Sequence, residues 1–417
     1  MTLTRSAQRA LIVSFCAVLA AIYAIAWLAP SIGLFHDDAI YLVTAKSLAS
    51  GHGYTIESLP TPIPQTKYPP LFPALLALFT LISRQTQWLK LLPVLCTVGW
   101  LALSYRLLRK MGAQSGGAWL LVLLTAASPM VVFLGTNLLS EPLFALLVTA
   151  ALLALLDDRA VPAGVLAGLA TLTRSAGVPL IVACVLVLII RRRLRSAALF
   201  TAAAMAMAAP WFGWALAHSA GHPYYSGANY AASNILTGYS ANEKLAIFGS
   251  NILLLLASPF HLLTGIVSTY AAAGTAALAG WSLFRRRQLM PDLFVALYCL
   301  MLLLWAWPPQ RFVAPILPLI LWMLWRVFQN VRIREALAAV VVILLALPLW
   351  TDISRIPKTL RYGQFPTSNV TPGDWSEMGK LFTYIREQTP ADAVICANLD
   401  PVFYLNTGRK AIRGFSP

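Results

Sequence analysis

Apolar residues in this chain form long runs, and polar residues gather in short clusters between them. A helix needs roughly 20 apolar residues to cross the hydrocarbon core of a bilayer, so these runs predict membrane spans. The run 250–284 is long enough for an interfacial helix followed by one span. The predicted spans lie near 10–29, 88–108, 117–134, 139–156, 161–173, 176–190, 196–217, 250–284, 291–306, 312–328 and 335–350.

The positive residues predict how these spans are oriented. Lys and Arg accumulate in the cytoplasmic loops of membrane proteins. The positive clusters share one side only if the short apolar segment 69–83 lies along the outer surface as a juxtamembrane helix. About eleven spans then follow, with a cytoplasmic N-terminus and an extracytoplasmic C-terminus. The clusters are Arg106, Arg109 and Lys110; the arginines at 191–193 and 195; those at 285–287; and Arg326, Arg332 and Arg334.

The chain divides by composition into a membrane part and a polar C-terminal part. Residues 1–350 are expected to form the membrane domain, with a long first outer loop, 30–68. Residues 351–417 are polar and predict a small extracytoplasmic α/β segment, which is either complete or continued beyond the present chain. Asp374 and Glu377 resemble a capping box at the start of a helix, and 393–397 predicts a buried strand. The apolar face of that helix would hold Trp375, Met378, Leu381, Phe382 and Ile385.

Composition agrees with an all-α polytopic membrane protein. Of the 417 residues, 59% are hydrophobic and only 11% are charged, whereas soluble domains carry about 25% charged residues. The net charge of +16 does not indicate nucleic-acid binding, because the charges lie between apolar runs and no DNA-binding motif is present. The five cysteines have no metal-ligand spacing. Gly221 and Pro223 interrupt the pair His218 and His222, so no metal and no cofactor are expected.

Two adjacent carboxylates, Asp37 and Asp38, follow the first predicted span. A low-dielectric membrane edge raises the pKa of a carboxyl group that polar substrates can still reach, which suits a general base. Neighbouring helical residues point about 100° apart, so the two acids are expected to do different jobs. The alternative is that both only cap an interfacial helix.

Three basic residues are expected at the same outer boundary: Lys67 before a Pro-rich helix start, Arg174 between two short runs, and Arg311 in a short turn. Positive residues are disfavoured in short outer loops. A phosphate would account for them, because Arg binds phosphate in a bidentate manner. Alternatively, Lys67 is a snorkelling interface lysine beside the aromatic anchor Tyr68, and Arg174 forms a structural ion pair with Glu141.

The order of these motifs is similar to that of a known family. An uncleaved first span precedes the two acids, with Tyr41 three residues after the second, and then a small-residue helix ending in glycine. Lys-Tyr-Pro-Pro-Leu leads into the next apolar helix, and Ser140-Glu141 begins a later span. Together with Gly168 to Arg174, and with Arg311 followed by two prolines, this set resembles the GT-C glycosyltransferases. The most similar branch is the bacterial one related to protein O-mannosyltransferases and the lipid A aminoarabinose transferase.

The resemblance implies a GT-C fold and transfer of a sugar from a polyprenyl-phosphate donor to an extracytoplasmic acceptor. It leaves open whether this acceptor is a lipid, a glycan or a protein. Asp37 matches the first acid of the family's Asp-Glu motif, the base that activates the acceptor hydroxyl. Asp38 stands where Glu is usual. The reaction would invert the anomeric carbon without a covalent intermediate, in the bacterial inner membrane. Lys67, Arg174 and Arg311 match donor phosphate-binding positions, with Tyr41, Tyr68 and Glu141 in support.

Two other functions are compatible with the sequence. A transporter or flippase of lipid-linked sugars would place its charges near the middle of the membrane, on broken helices paired between two halves. The unusual charges here gather at one face, which favours an enzyme. A catalytically inactive scaffold for cell-envelope assembly is the third possibility.

Overall fold

The computed structural model describes residues 5–83, 85–219, 239–285, 288–305, 307–328, 334–365 and 374–414. Within these ranges the chain is mostly helical, as the apolar runs predict. The helices up to residue 190 are α1 (Arg5–Leu28), α2 (Asp37–Ala49), α3 (Leu71–Ile82), α4 (Thr86–Leu89), α5 (Leu91–Lys110), α6 (Ser115–Ala126), α7 (Pro129–Thr136), α8 (Glu141–Leu156), α9 (Ala160–Thr173) and α10 (Val178–Ile190). The later helices are α11 (Leu194–His218), α12 (Ala241–Thr264), α13 (Thr269–Arg285), α14 (Leu289–Leu303), α15 (Gln310–Val313), α16 (Leu317–Trp325), α17 (Arg334–Tyr362), α18 (Trp375–Gln388) and α19 (Asp400–Thr407).

Strands are short and lie outside the apolar runs. Strand β1 (Thr55–Ile56) pairs antiparallel with β2 (Ile63–Pro64) in the first loop. Strand β3 (Val394–Cys396) pairs parallel with β4 (Lys410–Ile412) in the C-terminal segment. In the described part of the chain the strands therefore support the helices rather than form a core of their own.

Three helical stretches in the described residues are long and apolar enough to cross a bilayer: Thr86–Lys110, Leu194–His218 and Ala241–Thr264. A fourth qualifies if α6 and α7 count together, although they meet at a bend of 65°. The predicted span 117–134 is divided into these two helices, because Pro129 has no N–H to continue the hydrogen bonds of α6. The chain is a multi-pass membrane protein, and about eleven spans stays a prediction.

The positive clusters lie at one end of the helix bundle, which we call the basic end. Ion pairs and hydrogen bonds join the C-terminal ends of α5 and α8 to each other, and the C-terminal ends of α5, α8 and α16 to the starts of α11 and α14. The predicted common side of these clusters is therefore confirmed for the described residues. The joining contacts are Lys110–Asp157, Arg193–Asp158, Gln288–Met111 and Arg326–Asp292.

The candidate residues lie at the opposite end of the same helices. Helix α8 begins at Glu141 and ends beside Asp157, so its 16 residues separate the two ends by about 24 Å. The indole N–H of Trp27, at the end of α1, donates to the carbonyl of Gln87 at 2.9 Å. The chain between Trp27 and Gln87 thus leaves and returns at one end of the bundle, and the juxtamembrane placement of 69–83 stays a prediction. Helix α3 follows Pro70, as the Pro-rich start predicts.

Two predicted boundaries differ from the structure. Helix α17 continues through residue 350 to Tyr362, so the change in composition at 351 lies inside a helix. The run 250–284 does contain two helices, but the first already begins at Ala241, where Ser240 and Glu243 form a capping box. Polar residues thus extend both helices beyond their apolar parts, which hydropathy alone does not detect.

The C-terminal segment packs on the end of the bundle that holds the candidate residues. Backbone hydrogen bonds join Ser31 to Gly363 at 3.2 Å and Ala411 to Ser58 at 2.8 Å. Asp374 caps α18 by accepting from the N–H of Ser376 at 2.9 Å.

Three details of this segment differ from the sequence prediction. The reciprocal bond from Glu377 to the cap is replaced by a bond between Glu377 and Lys380. Leu381 is exposed, while Phe382 and Ile385 of the same helix are buried. Val394 of β3 is exposed, so the prediction of a buried strand is wrong, because a sheet of two strands cannot cover it.

Candidate active site

Asp37 and Asp38 begin α2 but face different partners. Asp38 is buried and accepts hydrogen bonds from the backbone N–H of Gly33 at 2.6 Å and of Phe35 at 3.3 Å. It therefore binds the turn that precedes its own helix. Asp37 faces away from that turn, toward other helices. The two acids therefore have different contacts, while the prediction that they do different jobs stays a prediction.

Asp37 lies between a phenol and a guanidinium. The hydroxyl of Tyr68 donates to Asp37 Oδ1 at 2.6 Å, and Arg311 Nη2 lies 3.0 Å from Asp37 Oδ2. The Asp37 side chain remains 20% exposed. Burial raises the pKa of Asp37, but the charge of Arg311 and the Tyr68 hydrogen bond outweigh it and hold that pKa below its ordinary value. The expected rise in pKa is therefore wrong for Asp37. Burial does raise the pKa of Asp38.

One carboxylate oxygen holds both candidate arginines. Glu141, only 1% exposed, presents Oε1 to Arg311 Nε at 2.6 Å and to Arg174 Nη1 at 3.0 Å. Arg174 also donates to Ser140 Oγ at 2.9 Å, and the Arg311 guanidinium lies over the ring of Phe35 at 4.4 Å. The predicted alternative, an ion pair between Glu141 and Arg174, is confirmed. Glu141 thus links α8 to the joint after α9 through Arg174, and to α15 through Arg311.

Aromatic residues support this ionic group from α2 and α3. The hydroxyl of Tyr41 lies 3.0 Å from Ser140 Oγ. The Tyr41 ring packs edge-to-face on Tyr68 and Phe72, with centroids 5.1 and 5.2 Å apart. Edge-to-face packing fixes ring orientation, so the phenol that binds Asp37 has a defined direction.

Lys67 reaches the same region from the loop before α3. Its side chain is half-buried, and Nζ lies 5.4 Å from the centre of the Tyr68 ring. Its backbone N–H donates to Gln65 Oε1 at 2.9 Å. Burial lowers the pKa of Lys67; the charge of Asp37 opposes this, while that of Arg413 adds to it. Lys67 therefore lies beside the ring of Tyr68, as the alternative prediction has it, and close enough to Asp37 for the two charges to interact.

Close packing fixes the joint that carries Arg174. A Cβ on Gly164 of α9 would lie 2.3 Å from a backbone oxygen of α11, so the two helices touch at backbone level. A Cβ on Gly177 would lie 2.6 Å from Thr171 Oγ1 in the last turn of α9. These glycines allow the chain to fold back directly after Arg174, which points the guanidinium toward Glu141.

The candidate residues bring three carboxylates and three cations to one end of the bundle. The numbers of negative and positive groups are equal, and both arginines already form ion pairs before any ligand binds. A phosphate bound here would share their N–H donors and weaken their hold on the carboxylates. Sequence reasoning did not assign a contact to Ser140, Phe35 or Gln65, and only Ser140 carried a signal, as the neighbour of Glu141.

Some predictions concern parts of the chain that the structure does not describe. His222 lies outside the described residues, so the interrupted pair with His218 is not tested. Among the residues that are described, no group of three or more His, Cys, Asp or Glu side chains could hold a metal ion.

Known proteins provide a comparison for this arrangement. No curated protein sequence matches the chain. The chain is similar in structure to ArnT from Cupriavidus metallidurans bound to undecaprenyl phosphate, with a TM-score of 0.66 and 13% identity over 97% of this chain and 86% of that one. Apo ArnT gives a TM-score of 0.63 and 14% identity, over 98% of this chain and 86% of that one. The fold is accordingly that of ArnT, as the GT-C resemblance predicts.

The family comparison covers the middle of the chain. A family model described as glycosyltransferase family 87 matches residues 66–306. This range contains Lys67, Tyr68, Glu141 and Arg174, while the acids of α2 precede it and Arg311 follows it. Since the match covers more than half of the 417 residues, this membrane protein belongs to glycosyltransferase family 87.

Proposed function

We propose that this glycosyltransferase moves a sugar from a polyprenyl-phosphate donor to an acceptor hydroxyl on the extracytoplasmic face, with inversion of the anomeric carbon. The observation that carries the proposal is the position of Asp37. It is the partly exposed acid of the candidate site, and Tyr68 and Arg311 hold it beside the ion pairs of Glu141. A carboxylate fixed in this way can accept a proton from a hydroxyl that approaches from outside.

The proposed reaction needs one base and no covalent intermediate. Asp37 takes the proton of the acceptor hydroxyl as its oxygen attacks the anomeric carbon. The bond from that carbon to the phosphate oxygen breaks on the opposite face, and polyprenyl phosphate leaves. Asp38 is buried against Gly33 and Phe35, so we assign it to shaping the turn before α2 rather than to proton transfer.

Lys67, Arg174 and Arg311 are the proposed direct contacts of the donor phosphate. Fixed cations of this kind stabilise the charge that develops on a leaving phosphate. Arg311 touches the phosphate from between Asp37 and Glu141. The lowered pKa keeps Asp37 ionised but makes it a weaker base. A bound phosphate would draw the positive charge of Arg311 away from Asp37 and raise its pKa, so the donor would strengthen the base as it binds.

The fold supports the choice of donor. The crystal structure of ArnT contains undecaprenyl phosphate, and the two chains share their fold over most of their length. The extracytoplasmic location rests on the basic end, because Lys and Arg favour the cytoplasmic side. We therefore propose a cytoplasmic N-terminus and a C-terminal segment outside, in the inner membrane of a bacterium. The acceptor stays open among lipid, glycan and protein.

Sugar transfer in membranes tests the proposal. Membranes with wild type, Asp37→Asn or Asp157→Asn at equal expression would receive a mixture of radiolabelled polyprenyl-phosphate sugars. Asp157 lies at the basic end of α8, so Asp157→Asn makes the same chemical change far from the candidate site. We expect transfer with wild type and Asp157→Asn, loss with Asp37→Asn, and a product of inverted configuration.

Each failure has a distinct meaning. Transfer that persists in Asp37→Asn would remove Asp37 from the role of base. No transfer by wild type from any polyprenyl-phosphate sugar would show that the donor class is wrong. A flippase would move lipid-linked sugar across vesicle membranes equally well with Asp37→Asn, so translocation measured in parallel separates the transporter alternative.

A further inference from the structure

The turn that leads into Asp37 has an unusual backbone. His36 has φ 64 and ψ −41, and the N–H of Asp37 donates to the carbonyl of Phe35 at 2.7 Å across it. This is a γ-turn of the positive-φ kind, which is rare and strained for a residue with a Cβ. Such strain persists only where the surroundings hold the residue in place, and it concentrates at functional sites.

The C-terminal segment supplies one of the groups that hold this turn. His36 Nε2 lies 3.1 Å from Asp400 Oδ1, at the start of α19. Asp400 is 0% exposed. The turn at His36 and the start of α19 therefore meet, although 364 residues separate the two side chains in sequence.

A second contact joins the same two segments. A Cβ on Gly33 would lie 2.0 Å from Val402 Cγ2, so α19 packs directly on the backbone of the loop before α2. Gly33 is also the residue whose N–H binds Asp38. The loop is thus held by its own helix on one side and by α19 on the other.

We propose that Asp400 is a positioning residue for Asp37 and acts through His36. The inference rests on the proposed function of Asp37 as base. Asp400 touches the imidazole of His36, and the backbone of His36 leads directly into Asp37. Tyr68 and Arg311 hold the carboxylate of Asp37, while Asp400 holds the backbone from which it projects. The C-terminal segment would then contribute to the candidate site without contacting substrate.

Sugar transfer tests the link by kinetics. Asp400→Ala removes the acceptor for His36, Asp400→Asn keeps an oxygen that can accept, and Asp392→Ala removes an exposed acid from the same segment. We expect kcat to fall about 10-fold to 100-fold in Asp400→Ala, because small misplacements of a reacting group have effects of this size. The KM for the donor should stay near wild type, Asp400→Asn should recover most of the loss, and Asp392→Ala should match wild type.

A double-mutant cycle separates positioning from general stability. His36→Gly removes the imidazole and adopts positive φ without strain. If Asp400 acts through His36, then Asp400→Ala should have little further effect on kcat in the His36→Gly background. A full additional loss in that background would show that Asp400 serves only its own helix, and the inference would be overturned.

Hydrogen exchange provides a readout that does not depend on activity. Purified full-length wild type, Asp400→Ala and Asp392→Ala would be compared in lipid nanodiscs by mass spectrometry of peptides covering 31–40. We expect amides of this segment to exchange at least 10-fold faster in Asp400→Ala alone. Equal exchange in all three proteins would refute the positioning role even if wild type transfers sugar. Faster exchange in Asp400→Ala with no transfer by wild type would support the link and contradict the proposed function instead.

Discussion

Glu141→Gln tests whether one buried carboxylate organises the site. The substitution keeps the shape and the Oε1 acceptor but removes the charge that faces Arg174 and Arg311. The hydrogen bond from Arg311 and the ion pair with Arg174 both lose the negative charge of the acceptor, and each loses about 1–1.5 kcal/mol. We therefore expect the free energy of unfolding to fall by about 2–3 kcal/mol, toward the range of about 3–5 kcal/mol for a broken buried pair.

The control is the same substitution at Glu377, which is 61% exposed and pairs with Lys380 on α18. Exposed pairs contribute little to stability, so Glu377→Gln should unfold like wild type. Denaturant titrations in detergent micelles, followed through the fluorescence of the 13 tryptophans, would measure both variants. Binding of undecaprenyl phosphate should become tighter in Glu141→Gln, because the arginines lose a competing anion. Equal unfolding midpoints for the two variants would refute the central role of Glu141.

Three further predictions concern the joint and the base. Gly177→Ala should destabilise the protein by about 1–3 kcal/mol, because the added Cβ overpacks against Thr171. Gly213→Ala, whose Cβ would meet nothing within 4 Å, should leave stability unchanged. Equal shifts of the thermal unfolding temperature in the two variants would contradict this reasoning. The acidic limb of kcat should lie at higher pH than that of kcat/KM, because the free enzyme holds the Asp37 pKa low and bound donor raises it; coincident limbs would contradict donor-dependent tuning. Tyr68→Phe removes a hydrogen bond to ionised Asp37, so the acidic limb of kcat/KM should move to higher pH, and an unchanged profile would count against that bond.

Helix positions and their common side could be predicted because both depend on local composition. Apolar runs gave most helices within a few residues, and the clusters around Lys110 and Arg326 gave one end of the bundle. The bend between α6 and α7 was detectable from Pro129, but a hydropathy run passes over a single proline. The extension of α17 to Tyr362 could not be detected in this way, since an amphipathic helix end has no hydropathy signal.

The contacts within the site could be predicted only in part. The two acids were expected to differ, and the pair of Glu141 with Arg174 was an explicit alternative. The low pKa of Asp37 was not foreseen, because it depends on Arg311, which lies in a distant part of the chain. The γ-turn at His36 and its contact with Asp400 have no local signature. Such features arise from tertiary packing, so a single sequence does not reveal them.

The distribution of the site along the chain restricts how it can form. The segment that matches family 87, 66–306, contains Lys67, Glu141 and Arg174 but neither Asp37 nor Arg311. Glu141 contacts Arg311, and Arg311 contacts Asp37, so the family segment reaches the proposed base directly through Tyr68 and also through a residue that lies beyond its own end. Charged groups at a membrane boundary need partners, and Asp37, Glu141 and Arg311 find theirs on different helices. The ion-pair network is therefore complete only when α2, α8 and α15 are packed together, which couples the proposed chemistry to folding of the whole bundle.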